Sequence, residues 1–229
     1  MKNIVFILLL MPISVFAQSE ISGIGYIKIG KLKSEILDSL YPVLGKPRDK
    51  SAIPYYCDDH RIYHLTKPKK NETNFHGRFS VCPGVDVYYI SEMEISSIPI
   101  KNWNLYFYND TLYSIENEGE VEFLKALKTK YGEGKVSNYA KTIKCRYDYS
   151  GSANERQEMT ERTIWRDDRI FCSYSFSKFY SDKCEASFVF DFTIYNKNLY
   201  YLVSSIKSEN EKEKNEKDNE DFKKRLDKF

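Results

Sequence analysis

Two stretches of this chain alternate with a period of two residues, and this pattern constrains the fold more than any other feature. In residues 170–177 and 188–195 every second residue is apolar: Ile170, Cys172, Tyr174 and Phe176, then Phe188, Phe190, Phe192 and Ile194. Successive side chains of a strand point to opposite faces of a sheet, so each stretch predicts a strand with one face toward the core. The 19 Tyr and 14 Phe residues also favour strands.

A hairpin and two further strands extend this prediction. Residues 102–108 and 111–116 flank Asn109-Asp110, a two-residue turn suited to a β-hairpin. Partner strands are expected at 141–149 and 161–165, with a small, polar loop at 150–157 between them. The Asp167-Asp168 pair is interpreted as a tight turn.

Two helices are predicted from apolar residues that recur every three or four positions. The first lies within residues 27–47, with Ser34 as its expected N-cap, and the second runs from Glu120 to Tyr131. Each ends in an apolar residue followed by glycine, Gly45 or Gly132. When these glycines are aligned the apolar positions coincide, which favours an internal duplication; chance similarity between two amphipathic helices is the alternative.

The first 17 residues have the features of a secretory signal peptide. Lys2 precedes the apolar run 4–11, and Val15 and Ala17 occupy the positions that signal peptidase reads before Gln18. The run is too short for a helix that spans a bilayer, although an N-terminal anchor helix is the alternative. The residue directly after the cleavage point is Gln18 and not the cysteine of a lipobox, so we expect a periplasmic or secreted protein without a lipid anchor.

The mature chain is expected to divide into a globular α+β domain and a tail. The domain covers 18–206, with half-repeats at about 20–100 and 101–206, and the charged tail covers 207–229 as a solvated helix or a disordered segment. No later segment is apolar enough to cross a membrane. With 35 basic and 33 acidic residues, the chain has no net field for capturing nucleic acid.

Five cysteines remain after the signal segment, and in an oxidising compartment they favour disulfides. A Cys57–Cys82 bond would close a loop rich in turn residues. Two of Cys145, Cys172 and Cys184 are candidates for a bond between neighbouring strands. An odd number leaves at least one thiol free or bonded to another chain.

Residues that could carry chemistry are few. Cys57, His60 and His64 form the densest group of metal-capable side chains, but on a strand the two histidines would lie about 13 Å apart and could not share a metal. Ordinary surface residues are the alternative. Because the sequence contains no nucleophile–base pattern, phosphate loop or metalloprotease motif, we expect no catalytic residues and no cofactor.

Aromatic residues supply the candidates for binding. Many tyrosines fall on expected strands, including the short segment at Tyr200 and Tyr201, and an exposed tyrosine face is a good binding surface. We select Tyr106, Tyr108 and Tyr113; packing at the rim of the core is the alternative. In the tail, Phe222, Leu226 and Phe229 fall on one side of the expected helix and form a second contact candidate.

Two blocks of the chain resemble small exported bacterial domains. Residues 29–36 with Leu44-Gly45-Lys46-Pro47, and the hairpin-then-helix at 105–115 and 124–132, are similar to patterns in the SmpA/OmlA outer-membrane assembly lipoproteins and in the β-lactamase inhibitor protein-like fold. The lipobox cysteine of the lipoproteins is missing here. The resemblance implies a helix packed on an antiparallel sheet that serves protein–protein contact.

These observations combine into an α+β prediction: a twisted antiparallel sheet with two short helices on one face and tyrosines on the other. The expected function is a non-catalytic protein-interaction module of the bacterial cell envelope, with an envelope or extracellular protein as partner. Two alternatives stay open. One is an exported hydrolase or metal-dependent enzyme that uses the segment from Cys57 to His64, and the other is a glycan or small-ligand binder that uses the aromatic face.

Overall fold

The structure, a computed structural model, describes residues 20–50, 61–66, 82–146 and 153–226. These residues form eleven strands and three helices. In chain order they are β1 (Gly23–Ile24), β2 (Ile27–Lys28), α1 (Lys33–Leu44), β3 (Arg48–Lys50), β4 (Ile62–Leu65), β5 (Val85–Ile95), β6 (Ile98–Tyr108), β7 (Thr111–Glu118), α2 (Val121–Tyr131), β8 (Lys135–Arg146), β9 (Ala153–Arg166), β10 (Ile170–Tyr180), β11 (Ala186–Asn196) and α3 (Lys197–Leu226).

Nine of the strands form one large sheet in the order β3-β4-β5-β6-β7-β11-β10-β9-β8. Every neighbouring pair is antiparallel except β3 with β4. The sheet joins two runs of consecutive strands, β4 to β7 (the first meander) and β8 to β11 (the second meander), which meet where β7 pairs with β11. The predicted α+β class with a mostly antiparallel sheet is confirmed.

Helices α1 and α2 pack on one side of this sheet, here called the first face. Their buried side chains, such as Leu40 and Leu127, join one apolar cluster with Trp103 and Phe107 of β6 and Ile194 of β11. The cluster crosses the junction of the two meanders. The prediction of two short helices on one face is therefore confirmed.

The helix ends agree with the sequence at their C-termini but not at the first N-terminus. Gly45 and Gly132 follow α1 and α2 with φ of 72° and 80°, which glycine adopts without steric cost. Ser34 is not the N-cap, because α1 already begins at Lys33 after Leu32, and no side-chain cap is formed. Backbone contacts set this end: the Lys33 amide donates to the Asp110 carbonyl.

The turns between strands follow the sequence closely. Asn109 and Asp110 have φ of 45° and 63°, the conformation of a two-residue hairpin turn, between β6 and β7. Asp167 forms the β9–β10 turn by accepting hydrogen bonds from the amides of Arg169 and Ile170. The loop predicted at 150–157 is wrong in its second part, because β9 begins at Ala153 and its ladder with β8 continues to that residue.

Helix α3 differs most from the prediction. It begins at Lys197, ten residues before the expected tail, so Tyr200 and Tyr201 are helical and not on a strand. Its first turns pack Leu199, Tyr200 and Val203 on the opposite side of the sheet, the second face. From Ser208 to Arg225 every side chain that the structure describes is exposed.

The predicted half-repeat boundary at 100/101 falls inside β6. The chain instead passes from the first meander to α2 and the second meander between Glu118 and Val121. None of the helices in the described ranges combines the length and apolar character that a bilayer crossing requires.

Candidate interaction surfaces and binding residues

An exposed aromatic surface lies on the first face, beyond the N-terminus of α2. Two cross-strand rows of the second meander form it: Met159, Lys178 and Phe188 in one row, and Glu161, Phe176 and Phe190 in the next. Residues directly opposite one another across strands share a face. We call Phe176, Phe188, Phe190, Met159 and Val121 the phenylalanine patch.

The patch is exposed although its side chains are large and apolar. Phe188 is 55% exposed, Val121 48% and Met159 40%. The rings contact one another, with Phe176 centred 6.0 Å from Phe188 and 5.1 Å from Phe190. Contiguous apolar surface of this kind on a folded protein is typical of interaction sites.

Charged residues surround the patch asymmetrically. A shallow depression of about 390 Å³ lies between Phe188, Phe190 and the start of α2. Its rim carries three exposed carboxylates, Glu118, Glu120 and Glu122, and one exposed cation, Lys101, which lies opposite Glu118 in the ladder. Within the patch, Lys178 lies between Met159 and Phe188 in their cross-strand row, and its ammonium is 5.9 Å from the centre of the Phe188 ring. The acidic side favours a partner with a basic rim.

The length of α2 explains why these rows stay open. The next two rows along the strands, containing Phe192 and Ile194, are buried beneath α2, and Phe123 meets Phe192 edge to face at 5.0 Å. Helix α2 begins at Val121, so it covers Phe192 but leaves Phe190 half-buried and Phe188 exposed beside its first turn. The alternation at 188–195 predicted the correct face but wrongly extended burial along its whole length.

The predicted tyrosine surface lies on the second face and is covered by α3. Tyr106 and Tyr113 line a cleft of about 190 Å³ between the sheet and the first turns of α3, the tyrosine cleft. Tyr113 is only 6% exposed, and Tyr108 packs against the same apolar cluster. Tyr113 thus belongs to a second apolar cluster, and Tyr106 and Tyr108 are partly buried against it.

Polar groups in the tyrosine cleft are buried deeply. The Tyr106 hydroxyl donates to Glu116 Oε2 at 2.8 Å. Burial raises the pKa of Tyr113, and the nearby Cys82 and Glu116 act in the same direction. The Ser114 hydroxyl, 1% exposed, has no hydrogen-bond partner among the described residues. The cleft is narrow and lined mainly by groups that are neutral at pH 7.

The second predicted contact lies near the end of α3. Phe222 is 58% exposed and the side chains around it from Asp221 to Arg225 are exposed as well. Leu226 ends the helix, while Phe229 lies outside the described residues. The structure therefore places Phe222 far along an exposed helix and does not bring it to the tyrosine cleft.

His64 belongs to a charged cluster at the ends of β4 and β5. Its Nδ1 lies 3.1 Å from Asp49 Oδ1, its Nε2 lies 3.6 Å from Asp86 Oδ1, and its ring stacks on Tyr88. Lys33 pairs with Asp86 and with Asp110. Burial acts to lower the pKa of Lys33, but its hydrogen bonds to these carboxylates raise it above the ordinary value.

The contacts of this cluster join neighbouring secondary-structure elements, and the cluster does not resemble a metal centre. The His64–Asp49 contact joins the short parallel pair β3 and β4. Cys57 and His60, the other metal candidates, lie outside the described residues. Within the ranges that are described, no group of three or more His, Cys, Asp or Glu side chains is arranged to hold a metal ion.

One disulfide is present, between Cys145 at the end of β8 and Cys184 in the β10–β11 turn, with Cα atoms 5.2 Å apart. Both of its cysteines are among the three, Cys145, Cys172 and Cys184, of which two were expected to form a bond. Cys82 carries a free thiol, which corrects the predicted Cys57–Cys82 bond at its Cys82 end; Cys57 lies outside the described residues. Cys172 is also free, and burial raises the pKa of its thiol.

Comparison with protein-family models, with curated proteins and with solved structures finds no match for this chain. The functional interpretation therefore rests on the surfaces described above. Of these, the phenylalanine patch is the one that the sequence did not identify. The sequence did contain a hint of this patch. The two strands β10 and β11 together carry more apolar side chains on the first face than the eleven-residue helix α2 can cover.

Proposed function

We propose that this protein is an exported, non-catalytic interaction module that binds a partner protein through the phenylalanine patch. The observation that carries the proposal is the exposure of Phe188, Met159 and Val121 around two further phenylalanines. Interface energy concentrates in a few large side chains that lose water on binding, and aromatic residues are frequent among them.

The chemistry of the rim defines the partner's surface. The partner presents apolar side chains to the three adjoining rings and basic groups to Glu118, Glu120 and Glu122. Such charge complementarity guides association and orientation more than it adds affinity. The partner is accordingly a protein of the envelope or the extracellular space with a basic border around an apolar contact.

Export is supported by two features. The segment from Met1 to Ala17 has the pattern of a cleavable signal peptide. The Cys145–Cys184 disulfide suits an oxidising compartment such as the periplasm or the extracellular medium. Cleavage after Ala17 releases the chain without a lipobox cysteine at the new terminus.

The two halves of the sheet derive from a duplicated unit. Helix α1 precedes the first meander and α2 precedes the second, and, apart from the additional edge strand β3, the sheet order is symmetric about the β7–β11 pair. Both helices pack on the first face. This arrangement supports the resemblance to SmpA/OmlA-type and β-lactamase inhibitor protein-like domains, which implies protein contact as the function.

Site-specific photo-crosslinking in the producing cell tests the proposal. A photoreactive phenylalanine analogue at position 188 is expected to give a discrete protein adduct. The same analogue at Tyr139 is the control, because Tyr139 is 65% exposed but shares its cross-strand row with Thr160 and Ser177 on the second face, opposite the patch.

The variant Phe188→Asp should abolish the adduct formed by an analogue at Met159, while its circular dichroism spectrum and thermal midpoint stay those of the parent. Adducts of equal yield and size from positions 188 and 139, or no adduct from 188, would refute the patch as the binding surface. Loss of a bound partner from Tyr106→Phe but not from Phe188→Asp would move the site to the tyrosine cleft.

A further inference from the structure

The second face of the second meander is a polar surface that lies beside α3 and not beneath it. The first turns of α3 pack on the apolar cluster of β4 to β7, and Tyr200 stacks on Tyr195 at the border of β11. Beyond this border, three rows cross β8 to β11: Lys135, Ile164, Ser173 and Thr193; Ser137, Arg162, Ser175 and Asp191; Tyr139, Thr160, Ser177 and Val189. We call these rows, together with Lys141 and Arg166 at their ends, the hydroxyl face.

Most positions in these rows carry a hydroxyl, and the central one is buried without a partner. Ser175 projects from this face, since Tyr174 and Phe176 on either side of it pack on the first face. It is only 9% exposed, yet its hydroxyl makes no hydrogen bond within the described ranges. A buried hydroxyl without a partner costs free energy, which a hydrogen bond to a ligand would recover.

Cations outnumber acidic groups on the hydroxyl face. Its four exposed cations make no ion pair or side-chain hydrogen bond with any described residue: Lys135, Lys141, Arg162 and Arg166. The two acidic side chains are Asp191 and Glu158, and Glu158 already accepts a hydrogen bond from the Tyr180 amide. The face therefore has an excess of positive charge that an anionic ligand complements.

We propose that the hydroxyl face binds an acidic polysaccharide. Carboxylates of the polymer pair with Lys135, Arg162 and Arg166, and sugar hydroxyls bond to Ser175 and the serines and threonines around it. The site lies on the opposite side of the sheet from the phenylalanine patch and needs no partner protein. That the polymer belongs to the envelope or the extracellular space rests on the proposed export of the chain.

The spacing of the charges favours a polysaccharide over other anions. Duplex DNA carries one charge per about 1.7 Å of its axis, whereas Arg162 and Arg166 are about 13 Å apart along β9. Binding to an anionic membrane surface combines basic groups with inserted apolar side chains, but Ile164 and Val189, the aliphatic residues of the rows, are partly buried. A polysaccharide combines spaced carboxylates with many hydroxyls, and both find partners on this face.

Native gel electrophoresis of the purified, disulfide-bonded mature protein tests the proposal. The gels contain either polygalacturonate or its fully methyl-esterified form, which has the same sugar backbone without the charge. Polygalacturonate is expected to retard the protein, with a Kd at least tenfold lower than that of the ester, because several exposed ion pairs act together. Single-stranded DNA and phosphatidylglycerol vesicles, at equal concentrations of charge, should compete at least tenfold less well than free polygalacturonate.

Variants separate the hydroxyl face from net charge. Arg162→Gln/Arg166→Gln should weaken polygalacturonate binding about tenfold, and Ser175→Ala about threefold. Lys125→Gln/Lys144→Gln is the matched control, because it removes the same charge from exposed lysines of α2 and of the first face of β8. Its Kd should stay within twofold of the parent value. Thermal midpoints of all variants are compared with the parent, so that unfolding is not read as loss of binding.

Three outcomes would overturn the assignment: no retardation of the parent by polygalacturonate, equal affinity for the ester, or equal losses in the two double variants. Stronger competition by DNA or by vesicles would overturn it as well and would assign the face to that anion. Crosslinking from position 188 should be the same in Arg162→Gln/Arg166→Gln and in the parent. Failure of this site and failure of the phenylalanine patch are therefore distinguishable.

Discussion

The two meanders of the sheet differ in how they are covered, although each follows a helix and contains four antiparallel strands. The first meander is buried on both faces, by α1 and α2 on the first face and by α3 on the second. The second meander is covered by α2 over only part of its first face, and eight consecutive residues of its edge strand β8, from Lys135 to Thr142, are exposed.

This difference follows from where the helices pack, and the amino-acid sequences of the strands match it. In β5 the core stretch Val87-Tyr88-Tyr89-Ile90 is buried without interruption, as expected for a strand with both faces covered. In β8 polar and charged residues occupy both faces. We therefore expect the first meander to contribute more to stability, while the second meander keeps apolar side chains exposed for contact with a partner.

The largest expected effect compares two phenylalanines, one from each half. Phe107 is fully buried in the first meander and meets Tyr88 edge to face, whereas Phe188 is 55% exposed. Phe107→Ala should lower the free energy of unfolding by about 3–5 kcal/mol through loss of burial and a cavity. Phe188→Ala should change it by less than about 1 kcal/mol.

Urea unfolding followed by circular dichroism measures both variants under the same conditions. Equal losses from the two substitutions would mean that the second meander is buried as deeply as the first. Such a result would also remove the phenylalanine patch as a free surface.

The disulfide is the next test, because it lies entirely in the less covered half. Cys145–Cys184 links β8 to the β10–β11 turn across β9 and closes a loop of sequence separation 39. Since a crosslink of this length restricts the unfolded chain, the Cys145→Ser/Cys184→Ser variant should lose about 2–4 kcal/mol of stability. Hydrogen exchange should accelerate in β8 and β9 more than in β5 and β6.

A reducing agent should destabilise the parent by a similar amount and leave the double variant unchanged. If hydrogen exchange accelerated equally in all strands, the disulfide would not act mainly on the second meander, and the distinction between the two meanders would fail. No change in either measurement would mean that the covered half alone determines stability.

The sequence predicted correctly those elements whose conformation depends on residues close together in the chain, and it failed where the conformation depends on packing against distant residues. The Asn109-Asp110 hairpin, the ends of α1 and α2 at glycine, and the strand segments 170–177 and 188–195 depend on local patterns, and all were predicted; β10 and β11 extend two to three residues beyond those segments. The start of α3 depends on packing against a distant sheet face, so the aromatic segment around Tyr200 was wrongly taken as strand.

The same limit applies to the candidate sites. Periodicity identified which face of a strand is apolar, but it could not show where a covering helix ends, and this separates buried Phe192 from exposed Phe188. It placed Tyr106 and Tyr113 on the face opposite α1 and α2 but not under a third helix. The burial of Lys130 at the end of α2 gave no sequence signal, because it arises from contact with the distant Gly23.

A smaller effect is expected at the junction of the two meanders. Asn117 of β7 faces Phe192 of β11 in register, is 5% exposed, and neither polar atom of its amide has a partner among the described residues. Because a buried amide without partners costs free energy, Asn117→Leu should raise the free energy of unfolding by about 1–2 kcal/mol.

Asn138→Leu is the control, since Asn138 is exposed on β8 and should change stability by no more than about 0.5 kcal/mol. Both are measured by denaturant unfolding. A loss of stability in Asn117→Leu would show that the amide holds the junction through a bound water.

The smallest effect concerns Lys130, where α2 meets the β1–β2 ribbon. Its pKa is about 8 in the folded protein, lowered mainly by burial from the ordinary value of 10.5. Between these values the unfolded chain binds more protons, so the Lys130 contribution to stability should rise with pH. Because solvent screens a partly exposed ammonium, the total gain should stay below about 1 kcal/mol. Free cysteines and tyrosines with raised pKa values oppose this trend, for example Tyr131 at about 12.

The informative quantity is therefore the stability of the parent minus that of Lys130→Met, measured from pH 7.5 to 9.5, because Cys172 and Tyr131 are common to both proteins. This difference should increase with pH. A flat difference would mean that Lys130 keeps its proton over this range and is better hydrated than its surroundings indicate.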